Sequence, residues 1–388
     1  MGLACIAVTA FVLFLLAERV LLRCARKRFA LVIHVNGTRG KSTVTRMIHA
    51  LLRRRGMEVF AKTTGSAAYL LLPDGTEKPL RRLGPANIRE QRNVMIMNGF
   101  RGKRQNRALV FECNAVQEEL QYVSTKWLKP DITVITNVRE DHTQELGTAE
   151  QAARIFAAAV PENSALVTSE GGFIDEWKAA ARQKNVRLCY VDPLEAKDSV
   201  FPENTACVLG IADYLKIDRA QALLAAADYT PDTGAFAVYS WETKSRRFFF
   251  ADARAANDIE STKRLSALAL QMIKPDADMF RIFLLVNRED RPDRTDMFSR
   301  YIKNESEELY FDRYLCLGHA PLSFQKKLKQ KGIDCSVIRN IKHFETALAK
   351  LPGKAVYLFA AGNFCGKGKL LARWLAEKRR NSDFKVLV

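Results

Sequence analysis

Leu31-Val-Ile-His-Val-Asn-Gly-Thr-Arg-Gly-Lys-Ser-Thr-Val44 runs from a short apolar stretch through two glycines to Lys41-Ser42-Thr43. Directly after it, Val44, Met47, Ile48, Leu51 and Leu52 recur at helical spacing. The pattern is strand, tight turn, helix. A helix N-terminus presents unpaired N–H groups and a partial positive charge, so an anion is stabilised there. Gly37 and Gly40 let the backbone approach phosphate oxygens with no Cβ in the way. Lys41 reaches toward terminal phosphates, and the Ser42 hydroxyl suits Mg²⁺. Asn36, Gly37, Thr38, Arg39, Gly40, Lys41, Ser42 and Thr43 are therefore the candidate nucleotide loop, for ATP or GTP. The longer pattern G-x-x-x-x-G-K-[ST] is not met, because Val35 stands where its first glycine would fall. A plain glycine turn is the alternative reading. The buried strand, Gly-Lys-Ser and a strong helix in direct succession favour phosphate binding.

Outward from this stretch, apolar strand-like runs at 57–61, 109–111, 132–136, 165–168 and 186–191 alternate with helical patterns such as 117–127 and 173–183. Alternation of this kind predicts a mostly parallel sheet covered by helices, with ligands at the carboxyl ends of the strands. A turn-rich cluster at 229–234 marks a boundary. Beyond it a second alternating series has strands at 247–251, 281–287, 314–318, 335–338 and 355–361. The expected fold class is α/β: a parallel-sheet ATPase domain carrying the phosphate loop (29–234) and a smaller, Rossmann-like α/β domain (235–388). An N-terminal transmembrane helix with a basic flank (1–28) precedes them.

That anchor is read from composition. Residues 1–17 carry no charged side chain, Val20, Leu21 and Leu22 continue the apolar run, and Arg23, Arg26, Lys27 and Arg28 follow. About 20 residues span a ~30 Å hydrocarbon core, and the basic flank places the C-terminal side in the cytoplasm. Basic residues before the run, which a cleaved signal would need, are missing. The formal charge of +18 calls for an anionic partner. Eight cysteines include no C-x-x-C pair, so neither a zinc site nor a disulfide framework is indicated. Cys189 and Cys316 sit in apolar runs and read as core thiols of a reducing compartment. Between 78 and 107, nine basic residues stand against the single acid Glu90. Phe100 is the one aromatic there, which speaks against single-stranded nucleic acid.

Three further strand ends carry polar groups. Lys62-Thr-Thr-Gly-Ser66 offers hydroxyls beside the loop. Glu112 closes a buried strand and is suited to hold a metal near phosphates. Ile132-Thr-Val-Ile-Thr-Asn137 ends in a polar pair, followed by Asp141-His142.

Taken in order, these four segments resemble the Mur ligase superfamily of ATP-dependent amide ligases. By that resemblance Lys41 holds the β- and γ-phosphates, Ser42 and Glu112 hold one Mg²⁺, and His142 is a ligand of a second; Lys41, Glu112 and His142 form the catalytic set. A closer resemblance is to the membrane-anchored ligase subunits of bacterial poly-γ-glutamate synthases (CapB/PgsB type). It is carried by 36–46, 62–65, 84–88, Glu112-Cys113, Asn137 with 140–142, Asn204, 255–258, 287–295 and Gly362-Asn363. It implies glutamate polymerisation through an acyl phosphate, with ADP and phosphate released. It also places Asn204 near adenine and Asn257 and Arg291 in loops that close over the nucleotide. The implied partners are glutamate, the anionic polyglutamate chain, the bacterial cytoplasmic membrane, a small CapC/PgsC-type membrane subunit and a CapA/PgsA-type export subunit. The basic 78–107 segment would suit the polymer.

Two features depart from many Mur ligases. No lysine lies between Lys129 and Lys178 to serve as the carbamoylated ligand, and the short stretch before the phosphate loop leaves no room for a separate UDP-sugar domain, so a UDP-linked precursor is not the expected substrate. The competing readings are a folylpolyglutamate-synthetase-like or other Mur-type amino-acid ligase and, from another class, a membrane-tethered P-loop NTPase switch. Neither an Asn-Lys-x-Asp motif nor a strand ending in a Walker-B Asp supports the switch.

Overall fold

The computed structural model describes residues 2–387 apart from 66–67, 81, 83–85, 102–105, 140–142, 233, 257, 275–277, 289–291, 305–310, 365 and 380–383. The chain divides into two units, Met1–Asp232 and Thr233–Val388.

In the first unit the six residues of strand β1 (Leu31–Asn36) are all buried. An apolar run without polar alternation needs cover on both faces, which places β1 inside a parallel sheet. The remaining strands are β2 (Glu58–Thr63), β3 (Tyr69–Leu71), β4 (Glu77–Pro79), β5 (Arg107–Glu112), β6 (Ile132–Ile135), β7 (Ala165–Thr168) and β8 (Arg187–Tyr190). They order as β4-β3-β2-β5-β1-β6-β7-β8. All pairs are parallel except β2-β3 and β3-β4, which form an antiparallel edge. That edge is absent from the sequence reading: its strands are three residues each, too short to show a period.

Four helices position the site: α1 (Gly2–Arg26), α2 (Lys41–Arg54), α3 (Arg89–Gly99) and α4 (Glu118–Leu128). The apolar stripe of α2 packs with helix Pro202–Leu215 on one face of the sheet, through Val44, Ile48, Leu51, Val208 and Ile211. On the opposite face α3 and the end of α4 cover Val32, Phe60, Leu109 and Phe111. The outer part of α1 is exposed along its apolar length. From Ala4 to Arg26 it is long and apolar enough to cross a membrane.

The second unit has its own sheet, from β9 (Ala237–Glu242), β10 (Arg247–Ala253), β11 (Phe280–Asn287), β12 (Arg313–Gly318), β13 (Cys335–Ile338), β14 (Ala355–Ala361) and β15 (Lys385–Val386). The order is β13-β12-β11-β14-β10-β9-β15, parallel from β13 to β10 and antiparallel at β9 and β15. Apolar cores lie on both faces. The α/β class with two parallel-dominated sheets is as expected.

Two histidines are locked into the first unit. His34 on β1 lies 3.3 Å from the Ser124 hydroxyl, and burial, aided by the charge of Lys62, pushes it down to about 4. His49 on α2 contacts the Leu72 carbonyl at 3.1 Å; burial first and Arg53 next push it down to about 4 as well. Between the unfolded value near 6.5 and the folded value near 4, the unfolded chain binds more protons. Stability is therefore full above about pH 6.5 and falls as pH drops toward 4, by on the order of 2 kcal/mol per histidine at pH 5. Amide hydrogen exchange in β1 and α2, corrected for intrinsic rates, should show protection at pH 8 decline at pH 5. Equal protection at both values would contradict the buried neutral state.

Candidate nucleotide and metal site

Strand register assembles the site. In β1, Val35 lies opposite Glu112 of β5, and Asn36 lies opposite Ile135 of β6. The loop after β1, the terminal carboxylate of β5 and Thr136-Asn137 after β6 therefore meet at one sheet edge. Carboxyl ends of parallel strands are where such folds bind ligands.

The loop needs its glycines. Gly37 has φ 119° and Gly40 has φ 77°, conformations that L side chains rarely adopt. A Cβ on Gly37 would stand 2.3 Å from the Thr136 hydroxyl, and one on Gly40 would stand 2.3 Å from Asn204 Oδ1. Asn204, near the start of helix Pro202–Leu215, is thus packed against the loop. Asn137 holds the loop from the β6 side. Its Oδ1 accepts from Thr38 Oγ1 (2.7 Å) and Arg39 N (2.9 Å), and its Nδ2 donates to Arg39 O (3.1 Å). Thr136 Oγ1 donates to Arg39 O at 2.6 Å. From the other side Asn36 Oδ1 accepts from Gly37 N (2.9 Å), while its Nδ2 donates to Gln121 Oε1 (2.7 Å). The side chains of Asn36 and Thr38 are thereby engaged in shaping the loop, and Thr43 hydrogen-bonds the Tyr229 hydroxyl.

Lys41 opens α2 and donates from Nζ to the carbonyls of Gly37 (2.7 Å) and Thr38 (3.1 Å). The next residue, Ser42, donates from Oγ to Glu112 Oε2 at 2.8 Å; Thr64 N donates to the same oxygen at 2.6 Å. Glu112 is 3% exposed. Lys41, Thr64 and Glu112 border a cavity of about 240 Å³, together with Gly37 and Ala115. Cys113 beside Glu112 is pushed by burial up to about 11, which makes it a protonated core thiol. Lys62 is buried with Nζ 3.3 Å from Glu90 Oε2; burial lowers its pKa, and Glu90 opposes that.

Among the described residues no three His, Cys, Asp or Glu side chains converge on one point. Among the described residues, the Glu112 carboxylate and the Ser42 hydroxyl bonded to it are the pair best placed for a metal. Such a sparse oxygen set fits Mg²⁺, which is bound through one or two protein oxygens with phosphates and water completing its shell.

The expected residues therefore fall into three groups. Residues 36–43, Glu112 and Asn204 come together. His142, Asn257 and Arg291 lie outside the described residues. The basic 78–107 segment divides: Arg107 is buried, bonded to the carbonyls of Asn98 (2.7 Å) and Gly99 (3.2 Å), Arg92 pairs with Glu18, and Arg82 grips Glu90 at 2.6 and 2.9 Å. Lys78, Arg89 and Arg101 are exposed, whereas Arg81, Lys103 and Arg104 lie outside the described residues. The sequence reading assigned no role to Thr136 and Asn137, although it marked them as a polar strand end; the missing information was that β6 is the direct neighbour of β1. It also gave no role to Arg46, the last residue of the 36–46 segment, whose buried guanidinium pairs with Glu77 and lies 3.0 Å from Asp232, fixing the back of α2.

Comparison with known proteins covers both units. Residues 35–207 match the Mur ligase middle domain, and residues 238–378 match the poly-gamma-glutamate synthase CapB C-terminal domain. The chain is 34% identical over 366 residues to the PGA synthase CapB of Bacillus subtilis, covering 89% of this chain and 90% of that protein. It is 33% identical over 307 residues to the capsule biosynthesis protein CapB of Bacillus anthracis, covering 73% of this chain and 64% of that protein. Among solved structures, MurF from Acinetobacter baumannii superposes with a TM-score of 0.64 at 13% identity, covering 93% of this chain and 80% of that one. A bifunctional folylpolyglutamate synthase/dihydrofolate synthase with Mn, AMPPNP and L-glutamate bound gives 0.60 at 14% identity, covering 92% and 93%. At these identities the two structures speak for the fold.

Proposed function

Because this chain belongs to the CapB family of poly-gamma-glutamate synthases, built on a Mur ligase middle domain, we propose that it joins glutamate into poly-γ-glutamate by ATP-dependent amide ligation. The observation that carries the reading is the meeting of Lys41, Ser42 and Glu112 at the mouth of one phosphate loop in a chain that matches this family through both units. A carboxylate oxygen of the acceptor attacks the γ-phosphorus of ATP, and the bond to ADP breaks, giving an acyl phosphate. The amine of the incoming glutamate then attacks the acyl carbon, phosphate leaves, and the amine gives up a proton as the amide forms.

The chain's part is positioning and charge. The 37–43 loop cradles phosphates on backbone N–H groups at the start of α2. Lys41, already held over the loop by two carbonyls, turns its ammonium to the transferring phosphoryl. Ser42 and Glu112 would hold Mg²⁺, which when bound offsets phosphate charge; the ligand-bound folylpolyglutamate synthase supports divalent-metal use. By family resemblance Asn204, Asn257 and Arg291 are assigned to the nucleotide and His142 to a second ion. The same resemblance proposes a CapC/PgsC-type membrane subunit and a CapA/PgsA-type export subunit as partners.

ADP release by the purified chain should rise with glutamate and polyglutamate and yield a γ-amide product. Turnover that depends instead on a folate would move the protein to the folylpolyglutamate class, and stimulation by DNA alone would remove it from the ligases.

The exposed Lys78, Arg89 and Arg101 give the polymer a basic surface. Neutralising all three should raise the KM for polyglutamate several-fold at low salt and leave the KM for ATP in place, with the difference shrinking as salt rises. An equal KM in both proteins at low salt would make this an ordinary solvated face.

We also propose that α1 anchors the protein in the bacterial cytoplasmic membrane, with Arg23, Arg26, Lys27 and Arg28 on the cytoplasmic side. Without residues 1–21 the protein should leave the membrane pellet at high salt while keeping ATP turnover, because β1 begins ten residues after the cut. Salt-resistant association of the truncated chain would contradict a single anchor.

A further inference from the structure

A second hollow lies away from the nucleotide site, where α1 meets α3 and α4. The helix does not end as a loose tether: Leu22 and Ala25 belong to the same buried cluster as Val94 and Met95 of α3 and Leu128 of α4. Contact is close, since a Cβ on Gly99 would stand 2.7 Å from that of Ala25. Arg26 donates to the carbonyls of Leu128 (3.1 Å) and Lys129 (2.9 Å) and to Asp131 (2.7 Å). Arg92 of α3 pairs with Glu18 and lies over the Trp127 ring, 5.7 Å from its centroid.

The groove between these elements measures about 660 Å³. Arg19 and Arg23 border it from α1 and Lys27 from the residue just after it, and Lys126 and Lys129 from the end of α4 and the residue beyond it. All five are exposed, and among the described residues none pairs with a carboxylate. The one acid on the lining, Glu18, is already taken by Arg92. Leu15 and Leu22, on the same helix as Arg19 and Arg23, give the lining an apolar part, and Trp127 adds to it. Depth adds a constraint. Counted from Ala4 at ~1.5 Å per residue, Arg19 and Arg23 lie roughly 22 and 28 Å along the helix, at the margin of a ~30 Å hydrocarbon core. That margin is where lipid phosphates lie and where tryptophan is favoured.

We propose that this groove seats an anionic phospholipid, its headgroup phosphate among Arg23, Lys126 and Lys129 and its apolar part against Leu15 and Leu22. An amphiphile matches both the basic and the apolar residues of this lining, whereas a polyglutamate chain would leave Leu15, Leu22 and Trp127 unmatched. The lipid would hold the α3–α4 edge of the ATPase unit against the membrane surface. This rests on the reading of α1 as a membrane helix.

Full-length protein released from detergent micelles in native mass spectrometry, after incubation with phosphatidylglycerol or phosphatidylcholine, tests the groove. Phosphatidylglycerol should be retained and phosphatidylcholine lost. The triple variant Arg23→Gln, Lys126→Gln, Lys129→Gln should bind phosphatidylglycerol on the order of a hundredfold more weakly, with unchanged ATP turnover and melting temperature as the check on folding. Equal retention of both lipids, undiminished binding by the variant, or displacement by polyglutamate or inorganic phosphate at matched charge would each overturn the proposal. Carbonate extraction of the wild type from vesicles reads the anchor separately. Extraction of the protein defeats the membrane helix and the proposal with it, while retention combined with indifferent lipid binding defeats the groove alone.

Discussion

Replacing Lys41 with alanine is expected to lower ADP-forming turnover by about a thousandfold or more, since a positioned cation on a transferring phosphoryl is worth at least that in related chemistry. The effect should fall on turnover and leave the fold alone. Lys41 Nζ touches the loop at the Gly37 and Thr38 carbonyls, but the loop's shape is set by Asn36, Thr136 and Asn137 through bonds that do not involve Lys41. The melting temperature should therefore stay close to wild type. Lys41→Arg keeps the charge on a longer, planar head that cannot take the same place between two carbonyls, so recovery should be partial. Near-normal turnover by a folded Lys41→Ala protein would remove the loop from the chemistry.

Much of this site is legible in the chain because its parts are local. The buried run of β1, the two glycines and the stripe of α2 are consecutive, and each requires the next. Glu112 could be read as a strand-end acid for the same reason. What the residues alone do not disclose is adjacency between strands. Glu112 belongs with Ser42 because β5 is inserted between β1 and β2 in the sheet, although β2 is the strand that follows β1 in the chain. Asn137 reaches Arg39 across 98 residues of chain. The basic segment misleads in the opposite direction. Its charges are consecutive in sequence, yet β5 carries Arg107 into the interior, where it lies over Phe29 and Phe60 at 5.0 and 5.3 Å. α3 turns Arg92 toward Glu18 of α1. A run of like charge can be dispersed by the elements that carry it, and only Lys78, Arg89 and Arg101 are described as exposed without a structural ion pair.

Glu112→Gln should raise the Mg²⁺ concentration needed for half-maximal turnover by on the order of a hundredfold, because it removes the anionic oxygen from the proposed metal site. The substitution is close to isosteric, and the hydrogen bonds have a way to survive it. Thr64 N and Ser42 Oγ both donate to Oε2, so an amide oxygen in that place accepts from both, and the amide nitrogen takes the place of Oε1. Folding should therefore persist, and nucleotide binding measured with metal chelated should match the wild type. Ser42→Ala removes a neutral donor and leaves the carboxylate, so its Mg²⁺ requirement should shift in the same direction by less. If the Glu112 variant were instead merely unstable, its melting temperature would fall and excess Mg²⁺ would not restore the rate. If Mg²⁺ dependence and melting temperature were both those of the wild type, Glu112 would be an ordinary strand-end acid bonded to Ser42 and Thr64, and the metal would have to be held elsewhere.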